Sequence, residues 1–341
     1  MQIPIDRRQF LERTAVGAAG LVLGSATPAF ARSAQSPSGM FVSLAPWATA
    51  RGVGWPDQAR LAARVGYRGI DYSWGPAKEA GVEATRALLQ ELGIVPTICN
   101  LPGPNPLNGD DAAFKARMTT LADDAAFSAA IGSRRFQLVM GATTPGGQAK
   151  EERWKVVRDR LAAISEVFVK HDVHLSLEFL GPLVFRAGRG GGGRRGGAPP
   201  DPNAPPPAPP VPFVWTLTET VKICEEAGPN LGATLDTWHW YHSGGTVADI
   251  LATPRERIVH VHVSDAREMP PAEVQDNMRL LPGEGVIDLV GFFQALQKIG
   301  WTGGVACETI GARLDGLEPE EQARLGLETT TAVMKKAGVL G

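Results

Sequence analysis

The feature that most constrains this fold is a regular alternation between short β-branched runs and longer amphipathic segments. From Met40 onward, eight such strand–helix units follow one another along the chain. Strands that alternate with helices form a parallel sheet, and eight is the number that closes such a sheet into a barrel. The sequence therefore predicts a single-domain α/β protein, a (β/α)8 TIM barrel over residues 40–341. The predicted strands are Met40–Ala45, Gly69–Ser73, Ile94–Asn100, Arg135–Met140, His174–Glu178, Leu231–Asp236, the run around Val259–Val263, and Gly304–Glu308.

An open, doubly wound sheet is the alternative arrangement of such units. It would carry a glycine-rich turn directly after its first strand. Here Pro46-Trp-Ala-Thr49 follows that strand instead, which favours the closed barrel. Apolar spacing predicts helices outside the barrel, among them 82–92, 111–131 and 319–336. Asp288 is the predicted N-cap of a further helix.

Four consecutive predicted strands carry an ionisable residue at their C-terminal ends, namely Glu178, Asp236, His262 and Glu308. The carboxyl ends of parallel strands meet at one rim of a barrel, so these side chains should converge. Three carboxylates placed together repel one another strongly unless a cation neutralises them. We therefore predict that these residues form a divalent metal site. The alternative interpretation is that they are unrelated polar residues at strand ends.

The types of the predicted ligands indicate which metal would bind. Three carboxylates and one imidazole favour Mn²⁺, with Mg²⁺, Co²⁺ or Zn²⁺ as alternatives. Two further histidines, His174 and His260, fall on the same strand faces as the predicted ligands but one layer deeper. We interpret both as hydrogen-bonded core residues and not as ligands.

The first 31 residues have the pattern of an export signal. Asp6-Arg-Arg-Gln-Phe-Leu11 precedes the apolar run 15–23, and Ala29-Phe-Ala31 offers a small-residue cleavage site. This pattern resembles the signal read by the twin-arginine export machinery; a disordered terminus with a weak apolar helix is the alternative. The apolar run is too short for a permanent membrane anchor. We therefore expect cleavage near Ala31, a linker over 32–39 and a periplasmic or otherwise exported protein.

The segment 186–212 interrupts the alternation of strands and helices. It is rich in glycine, arginine and proline and has no apolar periodicity, so we expect a poorly ordered insertion that cannot pack a core. Because it follows the strand that ends at Glu178, it should emerge at the rim that carries the predicted ligands. An insertion without a role and a lid over the site are the two interpretations.

Composition excludes some classes of partner. The 34 lysines and arginines nearly balance the 36 aspartates and glutamates, so the chain has no strong basic patch for nucleic acid. Cys99, Cys224 and Cys307 are an odd number, which favours buried free thiols over a disulfide framework. The composition is compatible with further copies of the chain as partners in a homo-oligomer.

The four predicted ligands, the Asp236-Thr-Trp-His239 spacing and the segment 283–288 together resemble the xylose isomerase-like TIM barrels. This sugar isomerase and epimerase superfamily includes ketose 3-epimerases, inosose dehydratases and endonuclease-IV-type enzymes. The resemblance covers nearly all of the chain after residue 40 except the insertion. It implies that Glu178 and Glu308 both bind the metal and act as acid and base on a substrate that passes through an enediolate.

The same resemblance implies that His239 and Arg267 hold substrate oxygens, while Trp47, after the first strand, would form a wall of the sugar site. Each has a structural alternative. His239 could simply pack beside its neighbouring tryptophans, Arg267 could be a solvated loop residue, and Trp47 could close the top of the barrel. The sequence also departs from the ketose 3-epimerases, which carry a glutamate at the position of Val184 and an arginine six rather than five places after the metal-binding histidine.

Three functions follow as hypotheses. The first is a metal-dependent isomerase or epimerase of a non-phosphorylated keto-sugar, because sugar phosphates are mainly cytoplasmic and no phosphate-binding loop is visible. The second is a lyase or dehydratase that acts on a 3-oxo-sugar or 3-oxo-glycoside by β-elimination at the same metal site. The third is a non-catalytic barrel that binds a sugar or a metal. DNA repair is disfavoured, because the extra histidines of a three-metal cluster are not evident.

Overall fold

The computed structural model describes residues 39–188 and 209–340, in which nearly every strand is followed by one or two α-helices. The strands are β1 Met40–Leu44, β2 Gly69–Ile70, β3 Val95–Pro96, β4 Cys99–Asn100, β5 Arg135–Val139, β6 His174–Glu178, β7 Leu231–Asp236, β8 Ile258–Val263 and β9 Gly303–Cys307. The α-helices are α1 Pro46–Thr49, α2 Asp57–Val65, α3 Trp74–Ala80, α4 Val82–Leu92, α5 Asp111–Ile131, α6 Lys150–Val169, α7 Leu183–Arg186, α8 Leu217–Ala227, α9 Thr237–His242, α10 Val247–Ala252, α11 Leu289–Lys298 and α12 Pro319–Lys336.

The strands form one parallel sheet in the order β3-β2-β1-β9-β8-β7-β6-β5-β4. The two ends of this order, β3 and β4, are separated by only Thr97 and Ile98, so they are two parts of one strand segment and the sheet closes on itself. The predicted barrel is therefore confirmed, and the open sheet is excluded. The single strand predicted over 94–100 is divided because its first part pairs with β2 and its second part with β5.

The helix boundaries follow the local sequence signals. Helix α11 begins after Asp288, whose side chain accepts a hydrogen bond from the backbone N–H of Gly291 at 2.9 Å, so the predicted N-cap is confirmed. Helix α2 ends at Gly66, which has a φ of 105°, a conformation that favours glycine. The predicted helices 82–92, 111–131 and 319–336 are also confirmed, with bounds that match α4, α5 and α12.

Alternate residues of each strand face opposite sides of the sheet, and the two sides differ in polarity. On β6, Leu175 and Leu177 are fully buried in the apolar core between the sheet and the helices. Ser176, between them, instead contacts Thr234 of β7 at 2.5 Å on the inner side of the barrel. The main apolar core therefore lies outside the sheet, and the barrel interior is largely polar. A buried polar group needs a partner, so the interior side chains bond to one another.

The segment 186–212, which was predicted to be a poorly ordered insertion, contacts the rest of the protein near both of its ends. Arg186 is the last residue of α7, and its guanidinium carbon lies 3.7 Å from the centre of the Trp215 ring. At the other edge, the backbone N–H of Thr144 donates to the carbonyl of Val211 at 2.8 Å. The edges of 186–212 therefore contact the barrel, in contrast to the prediction that the segment is a poorly ordered insertion over its whole length.

Several predictions lie outside the described residues. These are the export signal over 1–31, the linker up to residue 38, and positions 189–208 of the insertion. Within 39–188 and 209–340, no helix combines the length and the apolarity needed to cross a membrane. The three cysteines are buried and free, as predicted.

Candidate metal and substrate site

Four buried side chains converge at the carboxyl ends of four neighbouring strands. Glu178 ends β6, Asp236 ends β7, His262 lies on β8 beside Asp236, and Glu308 directly follows β9. One ligand atom of each residue lies within 4.8 Å of the corresponding atoms of the other three. All four residues are at most 5% exposed. The structure therefore brings together the complete set of predicted metal ligands.

Each of the three carboxylates is oriented by a donor on one of its two oxygens. The Gln137 side-chain amide donates to Oε2 of Glu178 at 2.9 Å. The backbone N–H of Trp238 donates to Oδ1 of Asp236 at 2.8 Å, and the Trp47 indole donates to Oε1 of Glu308 at 3.1 Å. The second oxygen of each carboxylate is directed to the common centre, where its partners are His262 or Arg279. This arrangement presents three carboxylate oxygens to one point.

His262 provides the nitrogen of the cluster. Its Nδ1 lies 3.3 Å from Oε1 of Glu178 and 3.1 Å from Oε2 of Glu308. Its other ring nitrogen, Nε2, lies 3.3 Å from Oδ2 of Asp71, a buried residue that follows β2. The imidazole is therefore placed with Nδ1 towards the carboxylates and Nε2 towards the barrel interior.

Arg279 is the one cationic side chain among the described residues that contacts this cluster and that the sequence did not single out. Its Nη1 donates to Oδ2 of Asp236 at 2.7 Å and to Oε2 of Glu308 at 2.9 Å. Its Nη2 lies 3.2 Å from Nε2 of His239 and donates to Asp276 at 2.8 Å. The guanidinium is 2% exposed, so its charge acts at short range on the cluster.

The structure does not bring Arg267 to the site. Arg267 is exposed, and it makes no hydrogen bond or ion pair to the cluster within the described parts of the chain. The alternative interpretation of a solvated loop arginine is therefore the one that the structure supports. After β8 the chain turns away from the barrel mouth, then returns so that Leu280 pairs with Asp265 through two backbone hydrogen bonds. This return places Arg279, and not Arg267, at the cluster.

Asp265 fixes the returning segment. Its carboxylate accepts hydrogen bonds from the backbone N–H groups of Gly283, Gly285 and Ile287 at 2.9 to 3.0 Å. Gly285 is required by this close approach, because a Cβ there would lie 2.2 Å from the carbonyl oxygen of Ala266. The segment 283–288 that contributed to the family resemblance is thus the anchor of the loop that carries Arg279.

His239 and Trp47 both lie at the mouth of the barrel. His239 is 2% exposed, and its Nε2 is 3.7 Å from Oδ2 of Asp236. Its Nδ1 has no hydrogen-bond partner within the described parts of the chain. Trp47 is 37% exposed and contacts His262 edge to face, with ring centres 5.9 Å apart. Trp47 therefore forms one wall of the cluster, with part of its surface open.

The loop after β6 packs closely over His239. A Cβ at Gly181 would lie 1.9 Å from the carbonyl oxygen of His239, so only glycine permits this approach. Phe185 of α7 contacts the His239 ring from the same loop, with ring centres 6.0 Å apart. Val184, at the position of the glutamate in the ketose 3-epimerases, is buried. The structure thus has an apolar side chain where those relatives carry a carboxylate.

Burial and charge change the acidity of the cluster residues in opposite directions. Burial and the negative charge of Glu308 raise the pKa of Glu178 above its ordinary value. Burial would also raise the pKa of Glu308, but the charges of His262 and Arg279 hold it well below its usual range. Burial raises the pKa of Asp236 to about 6, although Arg279 opposes this change. The pKa values of the two glutamates are therefore shifted in opposite directions.

The two histidines interpreted as core residues differ in environment. His260 is 1% exposed, and its Nε2 lies 3.1 Å from Oδ2 of Asp71, so its interpretation as a hydrogen-bonded core residue is confirmed. His174 lies at the start of β6, at the opposite end of the barrel, and is only half-buried. Its ring makes no hydrogen bond to another described residue, so the prediction of a bonded core histidine was wrong there.

The donor set fits a divalent cation. Three carboxylate oxygens and the Nδ1 of His262 are directed to one point, and the formal charge of three carboxylates exceeds that of Arg279. Oxygen-rich sets of this kind suit Mn²⁺ or Mg²⁺, and the inclusion of imidazole also permits Co²⁺ or Zn²⁺. A cation at this point would be held by the same four residues that the sequence predicted.

Residues 59–333 match the family described as xylose isomerase-like TIM barrel. Among curated proteins, the inosose isomerase of Bacillus velezensis (strain DSM 23117 / BGSC 10A6 / LMG 26770 / FZB42) is 26% identical over 188 residues, which are 55% of this chain and 58% of that protein. The match thus spans less than two thirds of that relative's length.

Two solved structures have similar folds. The structure of a xylose isomerase domain protein from Alicyclobacillus acidocaldarius subsp. acidocaldarius has a TM-score of 0.74 and 26% identity, covering 88% of this chain and 99% of that one. A protein named IolI, crystallised with a bound zinc atom, has a TM-score of 0.70 and 21% identity, covering 87% of this chain and 99% of that one. The second similarity is one of fold alone.

Proposed function

The chain belongs to the xylose isomerase-like TIM barrel family, and from that premise we propose that it is a metal-dependent isomerase or epimerase of a non-phosphorylated keto-sugar. The observation that carries the proposal is the convergence of Glu178, Asp236, His262 and Glu308 on one point. The name of its relative, an inosose isomerase, supports a small polyhydroxylated substrate. Two glutamates and a cation at one point are the groups that proton exchange beside a carbonyl requires.

We propose that these four residues hold one divalent metal ion, and that Mn²⁺ is the ion. The oxygen-rich donor set supports Mn²⁺ over a structural zinc. The bound zinc of the structurally similar IolI supports a divalent cation and makes Zn²⁺ the first alternative. Equilibrium dialysis of the purified protein against Mn²⁺ and Zn²⁺ tests this assignment, and failure to retain either ion would refute it.

In the proposed reaction, Glu178 and Glu308 exchange a proton with a substrate C–H beside a carbonyl. A cation bound at the cluster would supply positive charge that stabilises the enediolate formed by this deprotonation. Opposite shifts in the pKa values of the two glutamates support different roles, because an acid and a base must differ in proton affinity. One glutamate would remove the proton and the other would return it.

His239, Arg279 and Trp47 are the proposed substrate-binding residues, with Arg279 in the role first predicted for Arg267. Arg279 can only donate, so Nε2 of His239 is an acceptor and its Nδ1 carries the proton. That Nδ1 is buried and has no partner among the residues described, so it is available to donate to a substrate oxygen. The partly exposed ring of Trp47 would form the wall of the sugar site.

We also propose that the protein acts outside the cytoplasm, after export by the twin-arginine machinery. The support is the sequence pattern of residues 1–31. Expression of the full chain with Arg7 and Arg8 both changed to lysine should leave uncleaved protein in the cytoplasm, whereas the unchanged chain should be recovered, cleaved near Ala31, from the periplasm. Equal recovery of both chains outside the cytoplasm would contradict the proposal. An exported enzyme would meet free sugars more often than sugar phosphates.

The decisive experiment is turnover in heavy water. Protein loaded with Mn²⁺ would be incubated in D₂O with a panel of non-phosphorylated keto-sugars, and products would be analysed by NMR. The proposal expects one deuterium on the exchanged carbon, in both the product and the recovered substrate. An unsaturated product that absorbs in the ultraviolet would instead identify a lyase acting on a 3-oxo-sugar or 3-oxo-glycoside. Sugar binding without deuterium exchange would identify a non-catalytic barrel.

A further inference from the structure

A second carboxylate centre lies directly beneath the proposed metal site. Asp71 is fully buried inside the barrel, just after β2. Its Oδ2 lies 3.3 Å from Nε2 of His262 and 3.1 Å from Nε2 of His260. Its Oδ1 accepts hydrogen bonds from the hydroxyl groups of Ser43, at 3.1 Å, and Thr97. Four side chains from three different strand segments therefore meet at this one carboxylate.

These contacts determine what Asp71 can do for its neighbours. An ionised carboxylate only accepts hydrogen bonds, and here both oxygens are already occupied by donors. A nitrogen that faces such a carboxylate is favoured in its protonated form. A neutral imidazole carries one N–H, so a proton on Nε2 of His262 leaves a free lone pair on Nδ1.

The free lone pair on Nδ1 of His262 would face the carboxylates of the proposed metal site. Nδ1 is the nitrogen that lies 3.1 to 3.3 Å from the oxygens of Glu178 and Glu308, at the point where the ligand atoms converge. A histidine that binds a metal through one nitrogen commonly donates from the other to a carboxylate, which fixes the tautomer and the orientation of the ring. The Asp71–His262 contact has this geometry.

We propose that Asp71 is a positioning residue for the metal centre: it holds His262 in the tautomer that presents Nδ1 to the cation, and thereby sets metal affinity. This inference rests on the proposed metal-dependent function of the cluster formed by Glu178, Asp236, His262 and Glu308. Ser43, Thr97 and His260 would keep the Asp71 carboxylate in place. None of these three touches the cluster itself through a hydrogen bond.

The primary test compares Asp71→Ala with Ser43→Ala. Both changes remove a hydrogen bond inside the barrel, but only the first removes the partner of His262. Mn²⁺ affinity would be measured for folded, purified protein by the electron paramagnetic resonance of free Mn²⁺. We expect the Kd to rise about 10- to 100-fold for Asp71→Ala, the range typical of partners that orient a metal-binding histidine. Ser43→Ala should change the Kd by less than about 3-fold on the same reasoning.

Asp71→Asn provides a second variant if Asp71→Ala does not fold. The amide is nearly the same size as the carboxylate, and it can present N–H₂ to His262, which would favour the wrong tautomer. We expect a Kd raised by a similar factor, about 10- to 100-fold. In protein loaded with Zn²⁺, ¹⁵N NMR of the His262 ring should show a protonated Nε2 for the unchanged chain and a weakened or lost signal for Asp71→Asn.

The outcomes separate this inference from the proposed function. An unchanged Kd in folded Asp71→Asn, even with a lower melting temperature, would assign Asp71 a purely structural role and overturn the inference alone. Turnover absent from all proteins, with the Kd raised only in the Asp71 variants, would overturn the proposed activity and support the inference. An unchanged chain that binds neither Mn²⁺ nor Zn²⁺ would overturn both.

Discussion

The barrel interior has two polar layers that differ in how their charges are balanced. The lower layer consists of Ser43, Asp71, Thr97 and His260, and the upper layer consists of Glu178, Asp236, His262, Glu308 and Arg279. In the lower layer, one carboxylate accepts hydrogen bonds from all the other members and from His262. In the upper layer, three carboxylates share one guanidinium and one imidazole. The two layers are almost equally buried.

This difference shows which property distinguishes the layer proposed to be functional from the structural one. Burial does not, because residues in both layers are at most 5% exposed. His260 and His262 do not differ in sequence pattern either, because they are two residues apart on β8 and face the same way. The distinction is that the barrel itself satisfies the lower layer, whereas the upper layer has acceptors in excess. An excess of buried acceptors is costly unless a cation or a proton neutralises it.

The largest expected effect comes from replacing a glutamate of the upper layer by glutamine. An amide oxygen can still bind a cation, but an amide cannot act as a base. Turnover of Glu178→Gln and Glu308→Gln should each fall by about 10²- to 10⁴-fold, while Mn²⁺ binding is largely kept. The measurement is kcat at saturating Mn²⁺ with the keto-sugar found in the heavy-water screen.

Thr97→Val is the matched control for these variants, because it removes a hydrogen bond from the lower layer at nearly constant volume. Its kcat should stay within a few-fold of the unchanged protein. Near-normal turnover by metal-loaded Glu178→Gln would be incompatible with proton exchange by the two glutamates. It would instead favour the non-catalytic barrel.

The next largest effect is on Mn²⁺ affinity, and it should differ between the two histidines of β8. His262→Ala removes a proposed ligand, so the Kd for Mn²⁺ should rise by at least about 100-fold, the upper end of the range for losing an indirect partner. Part of the activity should return at high Mn²⁺ concentration. His260→Gln removes a side chain of the lower layer and should change the Kd by less than about 10-fold. Equal losses of affinity in the two variants would mean that the layers do not have separate roles.

The sequence predicted the upper layer better than the lower one, for a physical reason. Glu178, Asp236 and Glu308 each end an apolar strand, and a barrel necessarily gathers its strand ends at one rim. Asp71 follows a strand of only two residues, and its partners are contributed by distant segments across the barrel. No local pattern encodes contacts across a closed barrel, so this residue was not predicted.

Arg279 was missed for a related reason. The family resemblance suggested Arg267, which nearly matches the position of an arginine in the ketose 3-epimerases. The position of a loop residue, however, depends on where the loop returns. The pairing of Asp265 with Leu280 sets that return. One signal was present: Arg279 directly precedes Leu280 and lies four residues before the segment 283–288 that contributed to the family resemblance. The fold itself, set by periodicity over many residues, was predicted with nearly correct strand and helix bounds.

A smaller effect concerns the pH dependence of stability, which should reflect the lower layer. Burial lowers the pKa of His260 below its ordinary value of 6.5. The unfolded chain therefore binds a proton more readily than the folded one as the pH falls below about 6.5. The stabilising contribution is complete above that pH and is lost as the pH falls towards the folded-state pKa.

Thermal melts between pH 7.5 and pH 5 would measure this effect. Between these pH values, the melting temperature of the unchanged chain should decrease more, or increase less, with falling pH than that of His260→Gln. His242, whose pKa burial lowers to about 4, contributes in the same direction in both proteins and so cancels in the comparison. Identical slopes for the two proteins would show that His260 is not held neutral by the fold.

The smallest expected effect is at Arg267, and it tests where the upper layer ends. Arg267 is exposed and contacts none of the residues in the upper layer, so Arg267→Ala should change the free energy of unfolding by no more than about 0.5 kcal/mol and leave KM and kcat unchanged. Arg279→Lys is the matched contrast, because it keeps the positive charge but loses the fork that joins Asp236, Asp276 and His239. It should raise KM for the keto-sugar. If Arg267→Ala raised KM while Arg279→Lys did not, the loop after β8 would have to reposition when substrate binds, and Arg267 would return as a substrate-binding residue of the upper layer.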